Sequence, residues 1–378
     1  PTALWPQKIK EYIRQIDSKQ VQCVAKPSSK QILESQRLIV IPTQACNLGC
    51  VYCYARNAHD KSVIELPKFK SAVEMWSNTL KTNGEVSFIG GGEPLYDWEL
   101  FKECVQIVTQ QASKKKKQIS ISVTTNGTLL TDDRIAWFKE NGIRVGVSFD
   151  ILPEVQNANR PFVSGRETHS VVLGNIKKLI AAGVTNRIRT TINRTCVKLM
   201  PEMVQFVVAN LEGIESVHFE HVTDASDATD DFYSQFIEYY WQARDVAAGC
   251  GLKLRNSVQT SFQRIAYQFC KGELCLTPDG HFVSCHRVSS AKDFGFDDFC
   301  FGSVKAPFEH DKVSRIPNLL RNKEQCAFCF CKWHCAGGCP MVNKLLSEDG
   351  RLAHCRFVRD FMARMILERI QGERKEVI

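Results

Sequence analysis

The chain has 378 residues, 44% hydrophobic and 24% charged, with a formal net charge of +8. That length allows a large core in two domains, and the composition is that of a globular protein rather than a disordered or fibrous one. No stretch reaches the roughly 18 apolar residues of a membrane span, and residues 1–10 lack an apolar signal-peptide core, so a cytoplasmic protein with no membrane partner is expected. The basic excess is spread thinly apart from Lys114, Lys115, Lys116 and Lys117, a run that reads as a solvated helix end, and no nucleic-acid partner is expected.

In chain order, short β-branched runs alternate with amphipathic stretches. Strands are predicted at 37–42, 85–89, 120–124, 144–149, 187–193 and 216–221. Helices are predicted near 67–82, 97–112, 131–141, 169–182 and 200–211. Thr131 opens one helix, and Gly142 and Gly183 follow two others as stop signals. Six strands separated by helices imply a parallel sheet with right-handed crossovers, either doubly wound or a barrel lacking two strands. In both, functional groups gather at the carboxyl ends of the strands. Beyond Asp224 the pattern changes to a helix over 230–247, a cysteine-rich region, and a last helix over 355–371 with Phe357, Phe361, Met365 and Ile366 on one face.

Seventeen cysteines stand out. Their clustering in CNLGCVYC and CAFCFCKWHCAGGC suggests metal ligation rather than disulfides. Cys46, Cys50 and Cys53 form a C-x3-C-x2-C loop directly after the first predicted strand. Three thiolates hold three irons of a [4Fe–4S] cluster and leave the fourth open for a ligand. His59, six residues on, leaves a structural zinc reading open.

This loop, with Tyr52 before its last cysteine, resembles the radical S-adenosylmethionine (SAM) superfamily signature. The resemblance implies that SAM chelates the open iron and is cleaved reductively to a 5′-deoxyadenosyl radical that abstracts hydrogen. It also implies a partial (β/α)6 TIM barrel. Gly91-Gly92-Glu93-Pro94 after the second strand looks like the family's GGEP motif, whose glycines permit close approach to a ligand and whose glutamate helps fix the SAM ammonium. By the same resemblance Asn126 lies beside SAM, Ser148 and Arg160 hold its carboxylate, and Val222 walls the adenine.

Eight later cysteines resemble the SPASM domain of radical SAM enzymes that modify peptides and proteins. The resemblance implies two auxiliary [4Fe–4S] clusters, three in all. One would use Cys270, Cys275, Cys285 and Cys339, the other Cys326, Cys329, Cys335 and Cys355. The expected division is an N-terminal extension over 1–35, the barrel over 36–255, and a cysteine-rich α+β SPASM domain with a C-terminal helix over 256–378. Of the remaining cysteines, Cys104 and Cys196 read as packing residues. Cys331, inside the ligand run, is an alternative ligand, a substrate-facing thiol or a bystander.

SPASM relatives include ribosomal-peptide maturases that form thioether or carbon–carbon cross-links and anaerobic sulfatase maturases that form formylglycine. In the latter an aspartate follows the cysteine equivalent to Cys285; here His286 stands there, which favours peptide cross-linking. Candidate catalytic groups are Glu220, His286 and Cys331. The expected partners are a precursor peptide or protein, and a reductant such as flavodoxin or ferredoxin. With 45 residues before Cys46, too few for a winged-helix leader-binding domain, a separate leader-binding protein is a further candidate. The stretch 9–16 reads as a cap on the barrel or a docking segment. A non-catalytic metal-cluster scaffold is the reading from another class.

Overall fold

The computed structural model describes residues 11, 14, 30–56, 61–224, 226–270, 272–306, 311–313 and 326–371. The stretch 9–16, Cys23 and His59 therefore lie wholly or largely outside the described residues.

Among the described residues ten strands form one sheet: β1 (Arg37–Val40), β2 (Gly84–Phe88), β3 (Ile119–Thr125), β4 (Arg144–Ser148), β5 (Arg187–Ile192), β6 (Ser216–His221), β7 (Lys253–Arg255), β8 (Leu274–Leu276), β9 (His281–Val283) and β10 (Cys300–Ser303). Their order is β10-β9-β8-β1-β2-β3-β4-β5-β6-β7. Strands β1 to β7 pair in parallel with their sequence neighbours, as the helix between each pair requires. The six predicted strands and the helices between them are all present. One helix begins and two end on predicted signals: Thr131 accepts from the Arg134 amide at 3.3 Å, and Gly142 and Gly183 turn with φ of 62° and 72° just past helix ends.

Alternation along each strand separates two faces. Leu38, Val40, Val86, Phe88, Val123, Val145, Val147, Ile188 and Val217 point to the helix side, where they join the large core with Phe69, Trp76, Phe101, Phe138 and Ile176. The other face carries Ser87, Ser122, Ser148, Arg189, His218 and Glu220, a polar row running across the sheet. At its β1 end this inner face turns apolar, with Ile39 and Ile41 packing on Cys275, Val283, Val288 and Met341.

The strands after β6 were not legible as periodic runs because three or four residues are too few to show a period. β7 extends the sheet beyond β6, and β8 returns to the opposite edge, where it pairs in parallel with β1. The hairpin β8–β9 and the antiparallel strand β10 complete that edge. The sheet thus runs on across 255/256.

The last helix, Glu348–Gln371, starts earlier than predicted, with Glu348 and Asp349 in its first turn. Phe357, Phe361, Met365 and Ile366 are buried, against helix Asp230–Gly249 among other neighbours. Tyr233 stacks on Phe357 at 4.8 Å and Trp241 meets Phe361 at 4.6 Å. A largely buried ion pair, Arg244 Nη1 to Glu368 Oε2 at 3.0 Å, locks the two helices, and Trp241 Nε1 donates to the same carboxylate. Glu368→Ala, which leaves a buried guanidinium without this carboxylate, should cost about 3 kcal/mol of stability, read as a fall in the denaturation midpoint of the full chain.

Candidate functional site

The loop after β1 is held from three sides. Its amides at Gly49 and Val51 donate to Pro161 O (2.8 Å) and Asn159 O (2.9 Å), and Asn47 O accepts from the Val163 amide at 3.0 Å. Asn47 is further tied to Asn126, whose Nδ2 donates to its Oδ1 at 2.9 Å. Cys46, Cys50 and Cys53 are each half-buried on this loop. Their charges act on one another. Burial pushes the Cys46 thiol up to about 12, and raises Cys50 and Cys53 against the pull of Arg160. Bare thiolates are thus disfavoured here, and iron would supply the compensating charge. Among the described residues no three Cys, His, Asp or Glu side chains converge on a point that would hold one metal ion. A four-iron cluster has no such need, because each thiolate binds its own iron.

The loop after β2 presses on the loop after β1. A Cβ on Gly92 would lie 2.1 Å from Ala45 O, and one on Gly91 2.6 Å from Gln44 Oε1. The close approach that these glycines permit is therefore to the protein's own backbone and side chains, which fixes the cysteine loop. Glu93 is buried, and its oxygens accept from Thr125 Oγ1 (2.6 Å), the Asn126 amide (2.7 Å) and the Leu95 amide (3.1 Å). It joins the ends of β2 and β3, with Pro94 buried beside it.

A third loop, after β4, supplies a buried carboxylate. Asp150 Oδ2 accepts from Tyr52 Oη at 2.5 Å and Asn159 Nδ2 at 3.2 Å, while Oδ1 accepts from the Thr191 amide at 3.2 Å. Arg160 Nη1 donates to Tyr52 Oη at 3.1 Å. The Nε of this guanidinium is buried with no hydrogen-bond partner. A carboxylate-bearing ligand would supply one, since the guanidinium fork suits two oxygens. Ser148 lies on the inner face of β4 beside Arg189, and Val222 is buried just past β6. The residues present fit a cluster-bound amino-acid group on this side of the sheet.

The later thiols fall into two groups. The charges of Cys339 and Cys270 reach Cys285, and that of Cys285 reaches Cys275. Burial pushes Cys270 up to about 12 and also raises Cys275, Cys285 and Cys339. In the second group the charges of Cys329, Cys355 and Cys326 reach Cys335, which burial pushes up to about 12. Each group has the four thiols a [4Fe–4S] cluster needs, and the burial that disfavours most of the thiolates is what bound iron would offset. Cys104 and Cys196 are fully buried in the main core.

The three catalytic candidates stand apart. Glu220 accepts from His218 Nε2 at 2.7 Å and from Ser257 Oγ, with His221 and Arg189 at 3.6 and 3.9 Å. Burial works to raise its carboxyl, but these partners outweigh it and hold Glu220 well below the usual range. A carboxylate so engaged braces β6. His286 is held differently: its amide and Nδ1 both meet Glu273 Oε2, at 2.8 and 2.7 Å, and its ring meets Tyr54 edge-on at 6.3 Å. Cys331 is buried, with its Sγ 3.5 Å from that of Cys329.

Several site residues escaped sequence reasoning. Asp150 carried a signal, an acidic residue at a strand's carboxyl end. Glu273, two residues before Cys275, carried none. Tyr54 is the link between the groups, because the charges of Cys53, Cys275 and Cys285 all reach its hydroxyl. Arg287 stacks on its ring at 5.5 Å and donates to Thr223 Oγ1 at 2.6 Å, while Gln44 Nε2 donates to Ser289 O at 2.6 Å. These contacts seat the segment 285–290 against the cysteine loop.

Residues 40–203 match the family model of the Radical SAM superfamily: the chain carries a radical SAM domain. It is 29% identical over 185 residues to an uncharacterised protein of Methanocaldococcus jannaschii, covering 49% of this chain and 62% of that protein. It is 25% identical over 181 residues to a cysteine-type anaerobic sulfatase-maturating enzyme of Clostridium novyi, covering 46% and 48%. Against both, it spans less than two thirds of the relative's length. A serine-type anaerobic sulfatase-maturating enzyme of Klebsiella aerogenes is 23% identical over 351 residues, covering 84% of this chain and 83% of that enzyme. In fold, the chain matches native anSMEcpe with bound AdoMet at a TM-score of 0.73 and 18% identity, over 89% of this chain and 100% of that one. Streptococcus suis SuiB bound to precursor peptide SuiA matches at 0.59 and 14%, over 89% and 76%.

The packing of Gly92 on Ala45 O gives a direct test of how the cysteine loop is held. Gly92→Ala should displace that loop and lower the iron retained by anaerobically reconstituted protein by about 4 per chain, while far-ultraviolet circular dichroism stays unchanged.

Proposed function

We propose that this chain is a radical SAM enzyme that oxidises a residue of a peptide or protein substrate, forming a thioether or carbon–carbon cross-link or a related product. The observation that carries this reading is the meeting at Tyr54 of the two thiol groups, one beside Arg160, whose buried Nε has no partner, and one beside His286. Cys46, Cys50 and Cys53 would hold the SAM-binding cluster. Tyr52, Gly91, Gly92, Glu93, Pro94, Asn126, Ser148, Arg160 and Val222 would shape the SAM pocket. When bound, SAM and its cluster supply a hydrogen-abstracting 5′-deoxyadenosyl radical. The two later groups would hold auxiliary clusters, and the cysteine-rich part over 256–378 would form a SPASM domain on the barrel over 36–255.

The chain's own residues would do the rest. After one hydrogen atom has left the substrate, a two-electron oxidation still has to release a proton and an electron. His286, held by Glu273 through its Nδ1, would accept the proton, and the electron would pass to the auxiliary cluster that Cys270, Cys275, Cys285 and Cys339 would hold. Flavodoxin or ferredoxin would serve as reductant, and leader recognition could fall to a separate protein.

Formylglycine formation on a sulfatase is the second reading, favoured by the Klebsiella aerogenes relative that aligns over 351 residues. Peptide-bound SuiB, whose fold this chain shares, favours the first. Both act on a peptide or protein substrate.

Reconstituted protein should carry about 12 irons per chain and absorb near 400 nm. Reduced with SAM, it should yield 5′-deoxyadenosine and methionine. Replacing Cys46, Cys50 and Cys53 by Ala should abolish both products and leave about 8 irons; continued SAM cleavage would refute the proposal, and a scaffold would show none in either protein. With its substrate, His286→Ala should keep SAM cleavage while product formation falls by about 100-fold or more. Tandem mass spectrometry then separates a cross-link from formylglycine, which share a loss of two hydrogens when serine is the target.

A further inference from the structure

The inner face of the sheet carries a guanidinium that the site described above leaves unused. Arg189 lies on β5, opposite Ser148 of β4 on one side and His218 of β6 on the other. Its neighbours along the strand, Ile188 and Thr190, are buried toward the helices, so Arg189 points the other way. A strand paired on both edges can expose a side chain only across its face, and that of Arg189 is 54% exposed. It therefore borders open space on the inner face.

Nothing nearby satisfies it. Among the described residues its guanidinium has no hydrogen-bond partner, and its one ion pair is the long contact from Nη2 to Glu220 Oε2 at 3.9 Å. Glu220 is engaged elsewhere, accepting from His218 Nε2 at 2.7 Å and from Ser257 Oγ. Five N–H donors facing one distant, occupied carboxylate leave most of the fork open.

A second cation stands at the end of β6. Arg287 Nη1 donates to Thr223 Oγ1, three residues beyond Glu220, and its guanidinium lies over the Tyr54 ring. The charges of Arg189 and Arg287 both reach His221, which follows Glu220. The other carboxylate on this side, Glu273, is taken by the amide and Nδ1 of His286. Two cations thus border this part of the inner face, and the carboxylates beside them already have partners.

Such a surface attracts an anion and repels lysine or arginine. The planar fork of arginine takes a carboxylate through two parallel hydrogen bonds, which a neutral amide cannot match in charge. SAM brings one carboxylate, but the buried Nε of Arg160 without a partner already suits it. A peptide brings others.

We infer that Arg189, with Arg287 near it, binds a carboxylate of the peptide substrate, either an Asp or Glu side chain or the C-terminus of the peptide. The inference deepens the reading that this enzyme oxidises a peptide residue, and rests on it. Because Arg287 directly follows His286, the bound carboxylate would lie only a short way along the peptide from the residue that is oxidised. Arg189 is then a specificity-determining residue: it selects which residue is presented and takes no part in the bond changes.

The test uses full-length protein, anaerobically reconstituted and loaded with SAM but left unreduced, as wild type, Arg189→Gln and Arg189→Lys. Each is exposed to a pool of random short peptides blocked at both ends, and to a second pool with free C-termini. The retained peptides are sequenced by tandem mass spectrometry. Wild type should enrich Asp and Glu in the blocked pool, or free C-termini in the second, by about tenfold, the scale of a charge-assisted hydrogen bond. The pool that shows the preference identifies the source of the carboxylate. R189Q should lose the preference. R189K, which keeps the charge without the fork, should keep only part of it. Should R189Q fail to fold, R189K decides, because a preference equal to wild type there contradicts a two-bond fork. No retained peptide, no acidic preference in wild type, or an equal preference in R189Q would overturn the inference. So would loss in R189Q of the change that SAM makes to the electron paramagnetic resonance signal, which would assign Arg189 to SAM. If reduced wild type with SAM gives no 5′-deoxyadenosine, the underlying reading fails and the inference with it. If it gives 5′-deoxyadenosine but shows no acidic preference, the inference alone fails.

Discussion

The pairing of β8 with β1 is the constraint on which the arrangement of this molecule depends. It sets Leu38, Ile39 and Val40 opposite Leu274, Cys275 and Leu276, a few residues before the loop that carries Cys46. A parallel pairing of residues some 235 positions apart is costly in chain entropy, and three residue pairs repay little of it. The remainder comes from the apolar patch it creates, where Ile39 and Ile41 meet Cys275, Val283, Val288 and Met341. One register therefore fixes two things: which edge of the sheet the cysteine-rich segment occupies, and how close its first thiol group stands to the radical SAM loop.

The inner face follows from that placement. Its polar row crosses β2 to β6, while its apolar end packs against Cys275, Cys285 and Cys339 of the first later thiol group. Tyr54 stands where they meet, bounded by the cysteine loop on one side and by His286 and Arg287 on the other. The buried Glu93 ties the loop after β2 to the end of β3, and the buried Asp150 ties the loop after β4 to Tyr52 of the cysteine loop and to Thr191 of β5, through hydrogen bonds to backbone amides and side chains. Buried carboxylates without such partners would be strongly unfavourable, so these loops are held as a unit.

Much of this was legible in the sequence. The six strands of the first half were readable because each has four to seven residues and helices separate them, and the glycine stops at Gly142 and Gly183 marked helix ends. The clustering of the cysteines was visible in their spacing, while their division into two later sets of four came from the resemblance alone. What was hidden depends on contacts between distant segments. β8 and β9 are three residues each and have no period to read. The start of the last helix at Glu348 was hidden because its first turn is polar and carries little of the apolar stripe that marks the rest. Glu273 gains its meaning only when the β8–β9 hairpin turns it toward His286, and Gly92 reveals its purpose only once Ala45 is opposite it.

The central claim is that the cluster at Cys46, Cys50 and Cys53 has an iron open to SAM while the other two groups are closed by four thiols each. Electron paramagnetic resonance of the reduced protein, recorded before and after adding SAM, tests this most directly. The account predicts one signal whose g-values change with SAM, absent when Cys46, Cys50 and Cys53 are replaced by Ala, above a background that does not respond. A spectrum indifferent to SAM, or a SAM response that survives the loss of these three cysteines, would contradict it.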